Sequence, residues 1–363
     1  MEKGIAIYLG LDYSLDKNLE YLRLAKKKGF TRVFTSMHIP EANYDNIKKD
    51  LLELLNEAKN LNMIINMDIS PTSFEFLGIK NNDIQSLLKY GINVIRLDFG
   101  FNSKEISDFS NNNIGIKIEL NASTLTENFI KELEENKANF SNILACHNYY
   151  PKKYTGISEE VLISKNNLLK KKNIKISAFI PSLKNKRGPI YEGLPTLEKH
   201  REINPYLSAK HLFALGVDNV YIGDSHASEE ELELVGGIVT PFEFSIEWIT
   251  KNSKIKNYIN SNLFTQRVDE AEYVVRIEES RYFFENTLNK DILKDDLPRG
   301  LRTKGCITID NLKYQRYAGE IQICKIDLPY DDRVNIIANI KEDDLFLLKY
   351  IKGGDTLKFI SDI

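Results

Sequence analysis

Over the first two-thirds of the chain, short apolar runs rich in β-branched residues alternate with longer segments of mixed polarity. The runs GIAIYLG (4–10), RVFTSM (32–37), MIINMDI (63–69), NVIRLDF (93–99), IGIKIEL (114–120), NILACHN (142–148), IKISAFI (174–180) and NVYIGD (219–224) each lead into polar or turn residues and read as strands. Helix-like segments lie between most of them, such as NLEYLRLAKKKG (18–29), YDNIKKDLLELLNEAKNL (44–61), DIQSLLKYG (83–91), TENFIKELEEN (126–136) and EEVLISKNNLLKKK (159–172). Several close on lysines or glycine, as helix C-termini prefer. Eight strand–helix units in ~240 residues fit a (β/α)8 TIM-like barrel, which typically takes ~250. The competing doubly wound open sheet would want G-x-G-x-x-G after the first strand, and GLDYSLDKN is a poor loop of that kind.

The pattern changes after about residue 240. TPFEFSIEWITKNSKIKNYINSNLF is polar and mixed. Short strand-like runs follow: EYVVRIEES (272–280), KGCITIDNL (304–312), GEIQICKIDL (319–328), RVNIIANI (333–340) and DTLKFIS (355–361). Only DDLFLLKYIK (343–352) looks helical there. The expected organisation is an α/β barrel over 1–242 that carries the chemistry, and a small, mostly antiparallel β domain over 243–363, closed as a barrel.

Composition narrows the function classes. With 363 residues, 42% hydrophobic and 28% charged, the chain can bury a large core and is not a disordered segment. A net charge of −3 argues against a dedicated nucleic-acid binder, which would carry a basic surplus. No run approaches the ~18 apolar residues of a spanning helix, and the N-terminus has no signal-peptide pattern. Cys146, Cys306 and Cys324 are odd in number and far apart, so no disulfide framework is expected. A cytoplasmic protein with no membrane and no nucleic-acid partner is the expectation. The five histidines show no HxH or HExxH spacing and there is no P-loop, so neither metal nor cofactor is expected.

In a barrel of this kind, function collects at the C-terminal ends of the strands. Side chains alternate with period two, so Asn66 and Asp68 share a face, as do Arg96 and Asp98, and Lys117, Glu119 and Asn121. These polar residues interrupt apolar runs, which places the shared face in the lumen or at its rim. Three adjacent strands thereby offer three carboxylates near the barrel top. Paired carboxylates suit cleavage of an acetal: one stays protonated to serve the leaving oxygen, the other ionised to attack or to activate water. Arg96 and Lys117 could hold neighbouring carboxylates charged. The competing reading is a buried ion-pair network that fills the barrel.

Strand six ends in CHNYYP (146–151), where His147, Asn148, Tyr149 and Tyr150 suit a sugar through ring stacking and hydroxyl recognition. Loop packing is the alternative. Alternation puts Cys146 among the helices, away from such a site. The long connection PSLKNKRGPIYEGLPTLEKHR (181–201) carries Lys184, Lys186, Arg187 and Gly188 where barrels often bind phosphate, and Glu192 and Glu198 as reserve acids. Ser228 and Glu231 fit a capping box, leaving Asp224 and His226 at the barrel top. His38, with Glu41 close by, ends strand two.

Taken together, DISP (68–71), RLDFGF (96–101), IELNAS (118–123), CHNYYPKKYTG (146–156), RGPIYEGLPTLEKHR (187–201), IGDSHASEEEL (222–232) and IDNLKYQRYAGEIQ (309–322) resemble the 6-phospho-N-acetylmuramidase family of bacterial proteins over nearly the whole chain. The resemblance implies a TIM-like barrel followed by a cyclophilin-like β domain. It also implies hydrolysis of the β-1,4 bond of N-acetylmuramic acid 6-phosphate–N-acetylglucosamine in cell-wall recycling. The motifs carry over Asp68, Asp98, Glu119, Asn121, His147, Asn148, Tyr149, Tyr154 and Arg187, with Asp98 and Glu119 the favoured catalytic pair and Asp68 third. Arg96 joins them as a binding residue. Arg299, Arg302, Arg316 and Tyr317 of the β domain could help close the site over an anion. Two other readings stay open: a phosphosugar aldolase or epimerase, for which Lys117 is the obvious lumen lysine, and a sugar-phosphate sensor without turnover.

Overall fold

The computed structural model describes residues 1–36, 47–79, 83–97, 100–286 and 298–361. The chain divides into two compact units, Met1–Ile238 and Val239–Ile363.

In the first unit, strands β1 (Glu2–Ala6), β2 (Arg32–Ser36), β3 (Ile64–Ile69), β4 (Ile92–Leu97), β5 (Lys117–Asn121), β6 (Ile143–Cys146), β7 (Lys175–Ile180) and β8 (Asn219–Ile222) form a closed barrel in chain order. All neighbours, including β1 with β8, are parallel. Helices α1 (Leu15–Lys27), α2 (Ile47–Asn60), α3 (Pro71–Leu77), α4 (Ser103–Ser110), α5 (Glu127–Glu135), α6 (Glu159–Lys170), α7 (Pro205–Ala214) and α8 (Glu229–Gly236) follow the strands in turn. Both faces of a parallel barrel strand are covered, so these strands read as nearly continuous apolar runs. Local chemistry fixes the helix starts. Asn102 with Glu105, and Ser228 with Glu231, form reciprocal capping boxes, the second as the sequence suggested.

The register defines the lumen. Ala6 pairs with Phe34, Phe34 with Asn66, Asp68 with Arg96, Arg96 with Glu119, and Asn121 with Cys146. An apolar cluster of Ala6, Tyr8, Phe34, Cys146, Phe179, Leu194 and Tyr221 packs there. Gly4 is required in this packing, because a Cβ would lie 2.3 Å from the ring of Tyr221. Cys146 therefore faces the lumen, not the helices. The correction has a physical reason: Leu144, Cys146 and Asn148 stand in phase with Glu119 and Asn121, and the intervening His147 turns outward.

The second unit holds β9 (Phe242–Trp248), β10 (Leu263–Thr265), β11 (Val274–Arg276), β12 (Cys306–Asp310), β13 (Ile321–Cys324), β14 (Val334–Ile340) and β15 (Thr356–Ser361), with α9 (Ser253–Ser261) and α10 (Ser280–Asn286). They make one seven-stranded sheet in the order β10-β15-β9-β14-β12-β13-β11. Every pairing is antiparallel except β9 with β15. The two end strands meet only at an isolated bridge, Gln266 with Ile277, so the sheet curls nearly onto itself. Strand β9 corrects the reading of TPFEFSIEW as mixed polar chain: it is a central strand whose Phe242, Phe244 and Ile246 are buried. The segment read as helical at 343–352 is a 3₁₀ helix, Glu342–Tyr350.

Candidate functional site

The polar lumen residues of β3, β4 and β5 form one connected arrangement. Asp68 accepts from Ser36 Oγ at 3.3 Å through Oδ2, and its Oδ1 lies 3.4 Å from Arg96 Nη1. Arg96 Nη2 donates to Asn148 Oδ1 at 2.5 Å. Glu119 sits beside this pair with 0% exposure, and Asn66 Nδ2 donates to its Oε2 at 2.6 Å. Burial raises the Glu119 carboxyl above the usual range, against the Asn66 bond and the charges of Arg96 and Arg32. Asp68 and Glu119 therefore flank one guanidinium in different settings: Asp68 meets it at the rim, while Glu119 is fully buried and raised by that burial.

Asn148 is held from two sides. Its N–H donates to Ser123 Oγ at 3.1 Å and its carbonyl accepts from Thr196 Oγ1 at 2.9 Å. Ser123 in turn meets His147 Nδ1 at 3.2 Å, and His147 Nε2 meets Asn166 Oδ1 at 2.9 Å. An Asn166 oxygen must accept, so Nε2 carries the proton, Nδ1 accepts from Ser123, and Ser123 Oγ stays free to receive the Asn148 N–H. Burial lowers His147 to about 4, which keeps the ring neutral as this chain requires. His147 thus lies between β6 and α6, outside the lumen where the sequence placed it, and acts on the site through Ser123 and Asn148.

The β7–α7 connection folds over the barrel mouth. The Arg187 guanidinium lies 4.4 Å from the Tyr8 ring centre and 5.3 Å from that of Tyr149, and its Nη1 donates to the Tyr149 hydroxyl at 3.3 Å. Among the described residues, Arg187 Nη2 has no hydrogen-bond partner. Asp224, fully buried at the end of β8, accepts from the backbone N–H groups of Ser182 (2.9 Å), Arg187 (2.8 Å) and Leu194 (3.2 Å). It is the anchor that presents Arg187. Arg201 stitches the same connection to the β6–α6 loop, and Glu198 accepts from the N–H groups of Tyr154 and Gly156. Arg201 did not stand out in the sequence, and Asp224 stood out only as a residue at the barrel top, because both work mainly on main-chain atoms.

The remaining expected residues are dispersed. Asn121 caps its own turn by accepting from Ser123 N–H at 3.1 Å. Tyr154 stands in the left-handed region (φ 67°) and is 89% exposed, apart from the Arg96 arrangement. Lys117 shares the lumen face, but its ammonium donates to Ser141 O and Asn142 Oδ1 at the opposite end of the barrel. It is not placed as a lysine of the barrel top. Lys186 pairs with Glu202. Asp98, His38 and Glu41 lie outside the described residues. Among the described residues, no group of three or more His, Cys, Asp or Glu could hold a metal ion, and no helix is long and apolar enough to cross a membrane.

Fold and site together define a (β/α)8-barrel protein with a carboxylate–guanidinium centre at the C-terminal rim and an appended curled β domain. The chain belongs to the 6-phospho-N-acetylmuramidase family: the model of the family's N-terminal part matches residues 3–236, and that of its C-terminal part matches 242–360. Two solved structures are similar over their whole lengths. One is an uncharacterized Bacillus cereus protein, 32% identical, covering 99% of each chain with a TM-score of 0.82. The other is a conserved Enterococcus faecalis protein of unknown function, 34% identical, covering 100% of this chain and 97% of that one, with a TM-score of 0.68. No curated protein matches the chain.

Proposed function

We propose that the chain is a cytoplasmic glycosidase that cleaves the β-1,4 bond of N-acetylmuramic acid 6-phosphate–N-acetylglucosamine during cell-wall recycling. The observation that carries this reading is the Asp68–Arg96–Asn148 arrangement, with Glu119 buried beside it, in a chain matched by both parts of the family model.

In this proposal the rim carboxylates act on the glycosidic bond. Asp68, beside the Arg96 guanidinium, serves as nucleophile or base, or polarises the substrate's acetamido group if that group attacks. Asp98, two residues beyond Arg96 in the sequence, is the proposed partner acid. Glu119, fully buried beside Arg96, tunes that guanidinium. Asn148 and Tyr149 bind hydroxyls and the sugar face, and Arg187 takes the 6-phosphate through its open guanidinium edge. Asn121, which caps its own turn, and the exposed Tyr154 stand outside this set of contacts. A spacing near ~5 Å between the working carboxylates would give retention, and ~6.5–9.5 Å inversion.

The test is mass spectrometry of the purified protein incubated in EDTA with the phosphorylated disaccharide and, separately, with its unphosphorylated form. Release of both monosaccharides from the phosphorylated form alone is expected. Binding of that form without release would replace this reading with a sensor.

A further inference from the structure

The β domain brings together two cysteines that the sequence keeps apart. Ile307 pairs with Ile323 in the antiparallel β12–β13 ladder, and that register carried one residue further brings Cys306 and Cys324 opposite each other in one packed cluster. Opposed residues in such a ladder have Cα atoms ~4.5–5.5 Å apart. A disulfide spans ~4.4–6.8 Å between Cα atoms, so the extended register fits a bond between the two. Both thiols are free, 1% exposed and packed in one cluster with Ile336 and Leu328. Their chemistry is unequal. The Cys306 thiol and the Arg302 charge hold the Cys324 thiol below its ordinary range, while the Cys306 thiol is pushed up. Leu328 packs against the pair and is tied to Arg302 by an isolated bridge with hydrogen bonds of 3.2 and 2.8 Å. Local opening at that bridge is the route by which a small disulfide would reach the sulfurs.

We propose that Cys306 and Cys324 are a reversible dithiol–disulfide pair that reacts with low-molecular-weight disulfides. The Cys324 thiolate attacks one sulfur of the small disulfide, forming a mixed disulfide and releasing one small thiol. The Cys306 thiol, losing its proton, then attacks the Cys324 sulfur and releases the second. One small disulfide is reduced to two thiols, and the protein pair is oxidised by two electrons. Cys146, in the barrel lumen, has no such partner and stays reduced.

The experiment equilibrates the folded full-length protein with glutathione buffers of graded reduced-to-oxidised ratio, quenches with acid, alkylates in denaturant and maps peptides by mass spectrometry. The expected product is one Cys306–Cys324 linked peptide, lighter by two hydrogens than its reduced parts, with Cys146 alkylated throughout. It should revert on reduction. The same titration of Cys306→Ser should leave a glutathione adduct on Cys324, and Cys324→Ser should leave little adduct on Cys306. Three alkylated cysteines at every ratio, or adducts on both cysteines without a linked peptide, would overturn the proposal.

Discussion

Replacing Arg201 by alanine should loosen the loops over the barrel mouth more than any single change on their surface. Its side chain is 5% exposed and makes six hydrogen bonds. Two go to Glu198 at 2.7 Å each, and four to the carbonyls of Glu192, Gly193, Tyr150 and Lys152 at 3.0–3.2 Å. Alanine would leave those carbonyls and one carboxylate without their donor. Breaking a buried pair of this kind costs about 3–5 kcal/mol. The same pair is visible in Glu198, whose carboxyl is lowered to about 2, chiefly by its bonds to Arg201 and further by the N–H groups of Tyr154 and Gly156. For a domain of this size, the melting temperature should fall by about 6–20 °C. The pH dependence follows from the lowered carboxyl. Its contribution is fully present above about pH 5 and is lost as pH falls towards 2, so wild type and Arg201→Ala should converge in acid. Arg201→Lys keeps the charge but not the fork and should recover only a minor part. Calorimetry of the three proteins between pH 3 and 7 checks this. An Arg201→Ala midpoint within about 2 °C of wild type at pH 7 would refute the clamp.

Other changes bear on different parts of the molecule. Asp310 is 4% exposed and pushed up to about 8 by burial and by Glu320 and Asp331, despite Arg302 and Arg276. Its native form keeps a proton that the unfolded chain releases near pH 4, so it favours folding at low pH and costs stability as pH rises towards 8; Asp310→Asn should flatten that slope of up to ~1.4 kcal/mol per pH unit in denaturant titrations, and an unchanged slope would contradict the assignment. Arg187→Ala should raise KM for the phosphorylated disaccharide about 10- to 100-fold, the value of a charge-assisted bond, and leave the melting point nearly unchanged; equal effects on an unphosphorylated substrate would argue against phosphate contact. Tyr154→Ala should shift stability by less than about 0.5 kcal/mol and kcat/KM by less than about twofold, and a larger kinetic loss would bring Tyr154 back to the substrate.

The barrel was legible because buried parallel strands advertise themselves as β-branched runs, and Asn66, Asp68, Arg96 and Glu119 were visible as polar interruptions within them. Strand six was different. ILAC is apolar on both faces, so it carried no alternation to set the phase of His147, and only the pairing of Asn121 with Cys146 fixes it. Strand β9 has a clear alternation in FEFSIEW, but that signal was merged with the helical segment beyond it. The contacts of Asp224 and Arg201 could not be read at all, since their partners are main-chain groups brought close by folding. The Cys306–Cys324 pairing was hidden for the same reason: register, not spacing, brings the thiols together.

The proposed cleavage takes place at the Asp68–Arg96–Asn148 rim. Single-turnover cleavage of the phosphorylated disaccharide by wild type and Asp68→Asn, with binding measured in parallel by calorimetry, tests it most directly. Asp68→Asn should bind within about tenfold of wild type and cleave at least ~100-fold more slowly. Cleavage by Asp68→Asn at the wild-type rate would contradict it.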